Sequence, residues 1–202
     1  MIRRSTLPLL LAGVFLAIPF LASAQIEEYS YDRIEADYTV LSDGSIRVEE
    51  RITVSYEGTF HALWRGISLG PVAVTNIEVV DGDTGESFLS ADTFLDRLVP
   101  ESWDKFAYIV DDGYLKIEWY YKTADTTKHW VVRYTLHGAV AFAEDSDSFS
   151  WSPFSRYAVP VASTSVRIFL PESAQISVAV DSAASSTVSD IDDRSVRIDI
   201  AR

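Results

Sequence analysis

Apolar residues recur at every second position along most of this chain, and that period commits it to strands. Ile34, Ala36, Tyr38 and Val40 fall on one side of an extended backbone, with Glu35, Asp37 and Thr39 on the other. Ser42-Asp43-Gly44-Ser45 reads as a turn, with Gly44 free to take positive φ. Ile46, Val48, Ile52, Val54 and Tyr56 then alternate with Arg47, Glu49, Arg51, Thr53 and Ser55, completing a long hairpin. Glu50 is the one polar residue on its apolar face.

The pattern continues downstream. Ile77 and Val79 belong to a third strand ending at Asp81. Leu115, Ile117, Trp119 and Tyr121 mark another, as do Trp130, Val132, Tyr134 and Leu136. Val166, Ile168 and Leu170 precede Pro171, Ile176, Val178 and Val180 follow, and Val196, Ile198 and Ile200 close the chain. Asp111-Asp112-Gly113 is a hairpin turn between Tyr108-Ile109-Val110 and Tyr114-Leu115-Lys116. The one helical expectation is a turn or two from Asp92 to Leu98, stopped by Pro100. Ser182 to Ser189 reads as a loop. About eight to ten strands without intervening helices predict an all-β, antiparallel β-sandwich.

The N-terminus has a different composition. Arg3 and Arg4 precede an apolar run from Leu7 to Leu21, and Ala22-Ser23-Ala24 supplies small residues before Gln25. This is the pattern of a signal peptide, with a helical apolar stretch and cleavage between Ala24 and Gln25; an uncleaved membrane anchor is the rival reading. The run is short for a membrane span, which needs about 20 apolar residues. The expected division is residues 1–24 as signal and 25–202 as one extracytoplasmic domain. Export through the cytoplasmic membrane would place that domain on its outer face or the cell surface. ATP, nicotinamide cofactors and nucleic acid are then poor partners, and no cofactor is expected.

Losing Arg3 and Arg4 leaves 15 basic residues against 30 acidic ones, a net charge of −15. Such a surface repels phosphate backbones. There is no cysteine. That rules out a thiolate metal site, a cysteine nucleophile and a lipid-modified cysteine at the cleavage site, and it leaves stability to the core.

Chemistry-bearing clusters are weak. His129 and His137 share one strand about 26 Å apart in extended backbone, too far to hold one metal, and His61 lies elsewhere. Asp81-Gly82-Asp83-Thr84-Gly85-Glu86 resembles the start of a calcium loop but lacks the downstream bidentate glutamate. A tight turn is the favoured reading, with Asp81 and Asp83 kept as weak metal candidates. Glu144 to Asp147 reads as a solvated acidic loop. Of the five tryptophans, Trp119 and Trp130 belong to the core by alternation. Trp151, two residues from Phe149, is also expected between strands. Trp103, in a loop, is the best candidate for a ligand surface.

Four segments in order resemble the extracytoplasmic domain of a bacterial predicted-membrane-protein family, catalogued as domain of unknown function 2207. They are Tyr38-Thr39-Val40 through Asp43-Gly44-Ser45 to Val54, then Phe60 to Ile67, then Trp130 to Leu136, and last Phe149-Ser150-Trp151 with Val159-Pro160-Val161 and Val166 to Pro171. Ser68 stands where the family usually has proline. The resemblance spans roughly residues 30–175 and implies a signal peptide, a β-rich outside domain and then membrane helices. The chain stops at Arg202 directly after a strand, so truncation before a membrane segment is expected. The family supplies no catalytic residues.

Glu50 on an apolar face and Arg65 beside Trp64 suggest a buried ion pair, since a desolvated charge needs a partner. Arg51 and Arg133 are the alternative partners, and a surface ligand site at Arg65 is the functional rival. The expected function is a non-enzymatic binding, sensing or envelope-assembly module, its partner an unidentified protein or envelope ligand, with membrane association beyond Arg202. Two other readings stay open: a carbohydrate- or calcium-dependent binding module, and an envelope hydrolase using paired carboxylates.

Overall fold

The structure, a computed structural model, describes residues 27–154, 157, 159–172, 185–192 and 194–201. The signal segment, its junction at Ala24 and Gln25, and the strand expected over Ile176, Val178 and Val180 lie outside the described residues.

The first hairpin forms where alternation places it. β1 (Glu28–Val40) pairs antiparallel with β2 (Ile46–Glu57), and Ile34, Ala36 and Tyr38 face Ile52, Glu50 and Val48. β3 (Thr59–Ser68) leaves that sheet, and β4 (Ala73–Asp81) returns to it. β5 (Leu89–Ser90), β6 (Lys105–Asp111) and β7 (Tyr114–Ala124) build a second sheet with β3. β8 (Thr127–His137) crosses back to pair with both β2 and β4. β9 (Val140–Ala141) and β10 (Ser148–Phe149) form a small ribbon. β11 (Val161–Phe169), β12 (Ser185–Asp192) and β13 (Ser195–Ala201) complete the larger sheet, whose order is β12-β13-β11-β1-β2-β8-β4. The smaller sheet runs β3-β7-β6-β5.

The two sheets pack as a sandwich around the inward residues. Trp119, Trp130, Tyr134, Ile34 and Ile52 are all buried. The Trp119 and Trp130 rings meet edge to face at 6.1 Å. Tyr56 Oη lies 2.7 Å from Tyr121 Oη and accepts the Trp130 indole N–H at 3.1 Å, so the polar tips of these aromatics satisfy one another inside the core. The outward face of the larger sheet is a charge ladder. Arg51 pairs with Asp37 and Glu49, Arg133 with Glu49, and Arg167 with Asp37.

The sandwich departs from expectation at four points. It is not wholly antiparallel: β11 runs parallel to β1, from Tyr31 beside Val161 to Thr39 beside Phe169. Period-two alternation is blind to strand direction, and a long crossover separates these two strands. There are thirteen strands among the described residues, several of them two residues long, rather than eight to ten. Asp92 to Leu98 forms no helix, and the only helical turn there is a 3-10 turn over Pro100–Ser102. Leu95 N–H donates to Tyr120 Oη and Leu98 N–H to the Asp96 carboxylate, so side chains take the donors a helix would have used. Finally, the Ser182 to Ser189 loop gives way at Ser185 to β12, which pairs along β13 as a polar edge strand. Its serines are tolerated because that edge faces water.

Candidate functional site

Alternation sends Glu50 inward from β2 of the larger sheet and Arg65 inward from β3 of the smaller one. They meet in the space between the sheets, each about 1% exposed. Arg65 Nε donates to Glu50 Oε2 at 2.7 Å and Nη2 to Oε1 at 3.0 Å, a bidentate fork. Tyr134 Oη donates to Oε1 at 2.8 Å and Tyr157 Oη to Oε2 at 3.2 Å. The guanidinium also donates to the carbonyls of Gly66 and Pro153 and lies 4.3 Å above the centre of the Tyr157 ring.

Burial opposes the charge on Arg65, but the Glu50 carboxylate beside it more than offsets this and holds its pKa well above the ordinary value. Burial, reinforced by Glu50, pushes the Tyr134 phenol well up. Arg51 and Arg133, the alternative partners, lie on the other face and pair with Glu49. The buried centre also includes Tyr134 and Tyr157, which the charge argument for Glu50 does not name. The signal for Tyr134 was present: Val48 stands directly opposite it and is two positions from Glu50 on the same face. Tyr157 arrives from a distant loop that no local pattern announces.

Asp81 and Asp83 converge on one lysine. Lys128 Nζ lies 2.7 Å from Asp81 Oδ2 and 2.7 Å from Asp83 Oδ2. Asp81 Oδ1 accepts the backbone N–H groups of Asp83 and Thr84, which closes the turn. His129 Nδ1 lies 2.6 Å from Asp83 Oδ1. Partial burial works against ionisation of Asp83, but Lys128 and His129 prevail and hold its carboxyl below the usual range. No group of three or more metal-ligating side chains occurs among the described residues.

The three histidines stand apart. His129 meets Asp83, His137 Nε2 lies 2.8 Å from Thr75 Oγ1, and His61 lies against Trp103 with ring centres 6.0 Å apart. Trp103 is half-buried. Its indole N–H donates to the Arg97 carbonyl, and Lys122 Nζ lies 5.6 Å from its ring. Trp151 is also half-buried, stacked on Phe149 at 6.3 Å and 18°.

The exposed large apolar side chains are concentrated. Of nine among the described residues, seven lie between Leu89 and Val110, on β5, β6 and the loop joining them. Tyr108, Ile109 and Val110 are consecutive and 46%, 47% and 50% exposed. This run breaks the alternation, a signal visible in the sequence within the hairpin arm.

These features define a two-sheet β domain with a desolvated ionic centre and exposed apolar side chains along β5, β6 and the loop between them. The chain belongs to the family described as Predicted membrane protein (DUF2207) N-terminal domain, whose model matches residues 30–200. No curated relative matches it in sequence. Among solved structures, the chain is similar to a putative protease from Parabacteroides distasonis, at 10% identity and a TM-score of 0.44, covering 86% of this chain and 35% of that one. It is similar also to an M1 zinc metallopeptidase from Deinococcus radiodurans, at 11% identity and a TM-score of 0.44, covering 86% of this chain and 39% of that one. The chain thus spans well under half the length of either protein, and likeness at this level says nothing of activity.

Proposed function

We propose that this chain is the extracytoplasmic, non-enzymatic recognition domain of a membrane protein, serving in binding, sensing or envelope assembly. The observation that carries the reading is the run of exposed apolar side chains on β5, β6 and the loop joining them, while the larger sheet turns a paired charge ladder to water. Exposed apolar side chains beyond single scattered ones favour an interaction site. The family description supports attachment to a membrane. The basic start, the apolar run and Ala22-Ser23-Ala24 support export. The buried acid and base, Glu50 and Arg65, are bonded to each other between the sheets, which suits a scaffold role for both.

The test uses the absence of cysteine in the chain. Ser189, exposed on β12, is replaced by cysteine and challenged with a membrane-impermeant maleimide in spheroplasts. Labelling without lysis, on a protein beginning at Gln25, is the expected result; labelling only after lysis overturns the assignment of side. A photo-crosslinking residue at Leu98, 68% exposed, is expected to give a discrete adduct in cells, whereas one at Ser189 is not. No adduct at Leu98 overturns the recognition surface.

A further inference from the structure

The outer edge of β6 has no strand partner beyond its first two residues, and its geometry fits one occupant closely. β5 pairs only with Lys105 and Phe106, so Ala107 to Asp111 lie open at the sheet edge among the described residues. The direction of the open backbone groups follows from the hairpin. Asp111 and Tyr114 close the two-residue turn Asp112-Gly113, with φ of 44° and 70° at its centre. Asp111, Ile109 and Ala107 therefore bond to β7, and Tyr108 and Val110 turn N–H and C=O outward. Phe106 obeys the same alternation, since its carbonyl accepts from Ala91 N–H across that edge at 2.8 Å.

Open edges are ordinarily blunted by charge, proline, bulges or brevity. β12 is blunted by exposed Ser186, Thr187 and Ser189, and β4 by a register break with Asn76 at φ 53°. The β6 edge instead presents Tyr108, Ile109 and Val110, each near half exposed.

We propose that β6 pairs antiparallel with β6 of a second copy, about a twofold axis through Ile109, joining two smaller sheets into one. The proposal rests on reading the smaller sheet as an interaction surface. In this register Tyr108 and Val110 of each copy face Val110 and Tyr108 of the other. All four outward residues then form hydrogen-bonded pairs, and Ile109 meets its own copy in a non-hydrogen-bonded pair. Aromatic against β-branched side chains is a favourable cross-strand match. A register centred on Tyr108 would need Phe106, which β5 already occupies.

Charge agrees locally. Lys105 and Asp111 lie on the same face of β6, and the register sets each Lys105 diagonal to Asp111 of the other copy, within cross-strand reach. Two such ion pairs, one at each end of the ribbon, answer the acidity of the domain, whose long-range repulsion is screened within about 8 Å at physiological salt.

The test is the oligomeric state of the full purified chain by sedimentation velocity from micromolar to hundreds of micromolar. A concentration-dependent dimer is expected. Val110→Pro, which removes an outward N–H without touching the β7 ladder, should abolish it. Asp111→Lys should raise the dissociation constant by about tenfold or more, and adding Lys105→Asp should restore it. Ile109→Cys, the sole thiol in its chain, should form an intermolecular disulfide on mild oxidation, because non-hydrogen-bonded partners bring Cα atoms within disulfide range. A Val188→Cys control on β12 should not. If Val110→Pro fails to fold, the charge swap and the cysteine pair decide. A monomer throughout, or a dimer insensitive to the charge reversal and without the Ile109→Cys crosslink, overturns the proposal. A monomer that still gives the Leu98 adduct would leave the recognition surface standing.

Discussion

Arg65 Nε lies 2.7 Å from Glu50 Oε2, and this contact ties the two sheets of the sandwich together at a point closed to solvent. β2 supplies the carboxylate and β3 the guanidinium, while Tyr157 and the Pro153 carbonyl fix the loop before β11 to the same centre. A buried pair of this kind contributes little relative to apolar residues of the same volume, but breaking it leaves a desolvated charge.

Glu50→Gln and Arg65→Met should therefore each destabilise the domain by about 3–5 kcal/mol. The double variant should lose less than the sum, since neither charge is left alone. Denaturant unfolding of the four proteins measures the coupling, and additive losses would refute a structural pair.

The core tyrosines make the domain alkali-sensitive. Burial pushes Tyr56 up to about 12, against the bonds from Tyr121 and Trp130, and it pushes Tyr121, Tyr134 and Tyr157 well above the ordinary value. A raised folded pKa means that the native state holds its proton where the unfolded chain has lost it. The stability these groups contribute is complete below about pH 10 and declines above it, by about 1.4 kcal/mol per pH unit for each such tyrosine. Tyrosinate absorbance and near-UV circular dichroism should change together in one step above pH 10. Ionisation of these tyrosines with the dichroism intact would contradict the burial.

Lys128 stands between Asp81 and Asp83 where a bound cation would have to sit. Millimolar calcium should leave the Tm of the native chain unchanged. Lys128→Met should cost about 1 kcal/mol and, by freeing both carboxylates, introduce a calcium-dependent rise in Tm. A rise of several degrees in the native chain, removed by Asp83→Ala, would make the turn a calcium site.

Trp151 stacks on Phe149 at the margin of the core rather than at its centre. Trp151→Ala should cost about 3 kcal/mol, the low end of the range for large aromatics, and Trp151→Phe less than about 1.5 kcal/mol. Thermal unfolding of both variants checks this. An unchanged Tm for Trp151→Ala would mean that the ring is a surface feature.

The legible part of this protein was local. Alternation assigned the faces of β1, β2, β7, β8 and β13, and the Gly44 and Gly113 turns closed the two hairpins. An inward Glu50 also followed from its strand alone, because the direction of a side chain in a strand depends only on position. What local pattern could not carry was pairing between distant segments. Alternation has no direction, so the parallel match of β11 to β1 was invisible, and β12 was hidden because serines on an outer edge carry no apolar period. The loop from Asp92 to Leu98 looked helical because the acceptor that captures its Leu95 N–H, Tyr120 Oη, comes from another strand. The same holds for the site. Sequence could say that Glu50 needed a positive partner, but that Arg65 rather than Arg51 or Arg133 supplies it depends on which face each strand presents once the sheets stack. Tyr157 reaches Glu50 from 107 residues away, Lys128 reaches Asp81 from 47, and the β6 edge lies open because β5 is two residues long. These are products of topology, in which contacts across the sandwich are set by how strands pair and stack rather than by any residue's neighbours in the chain.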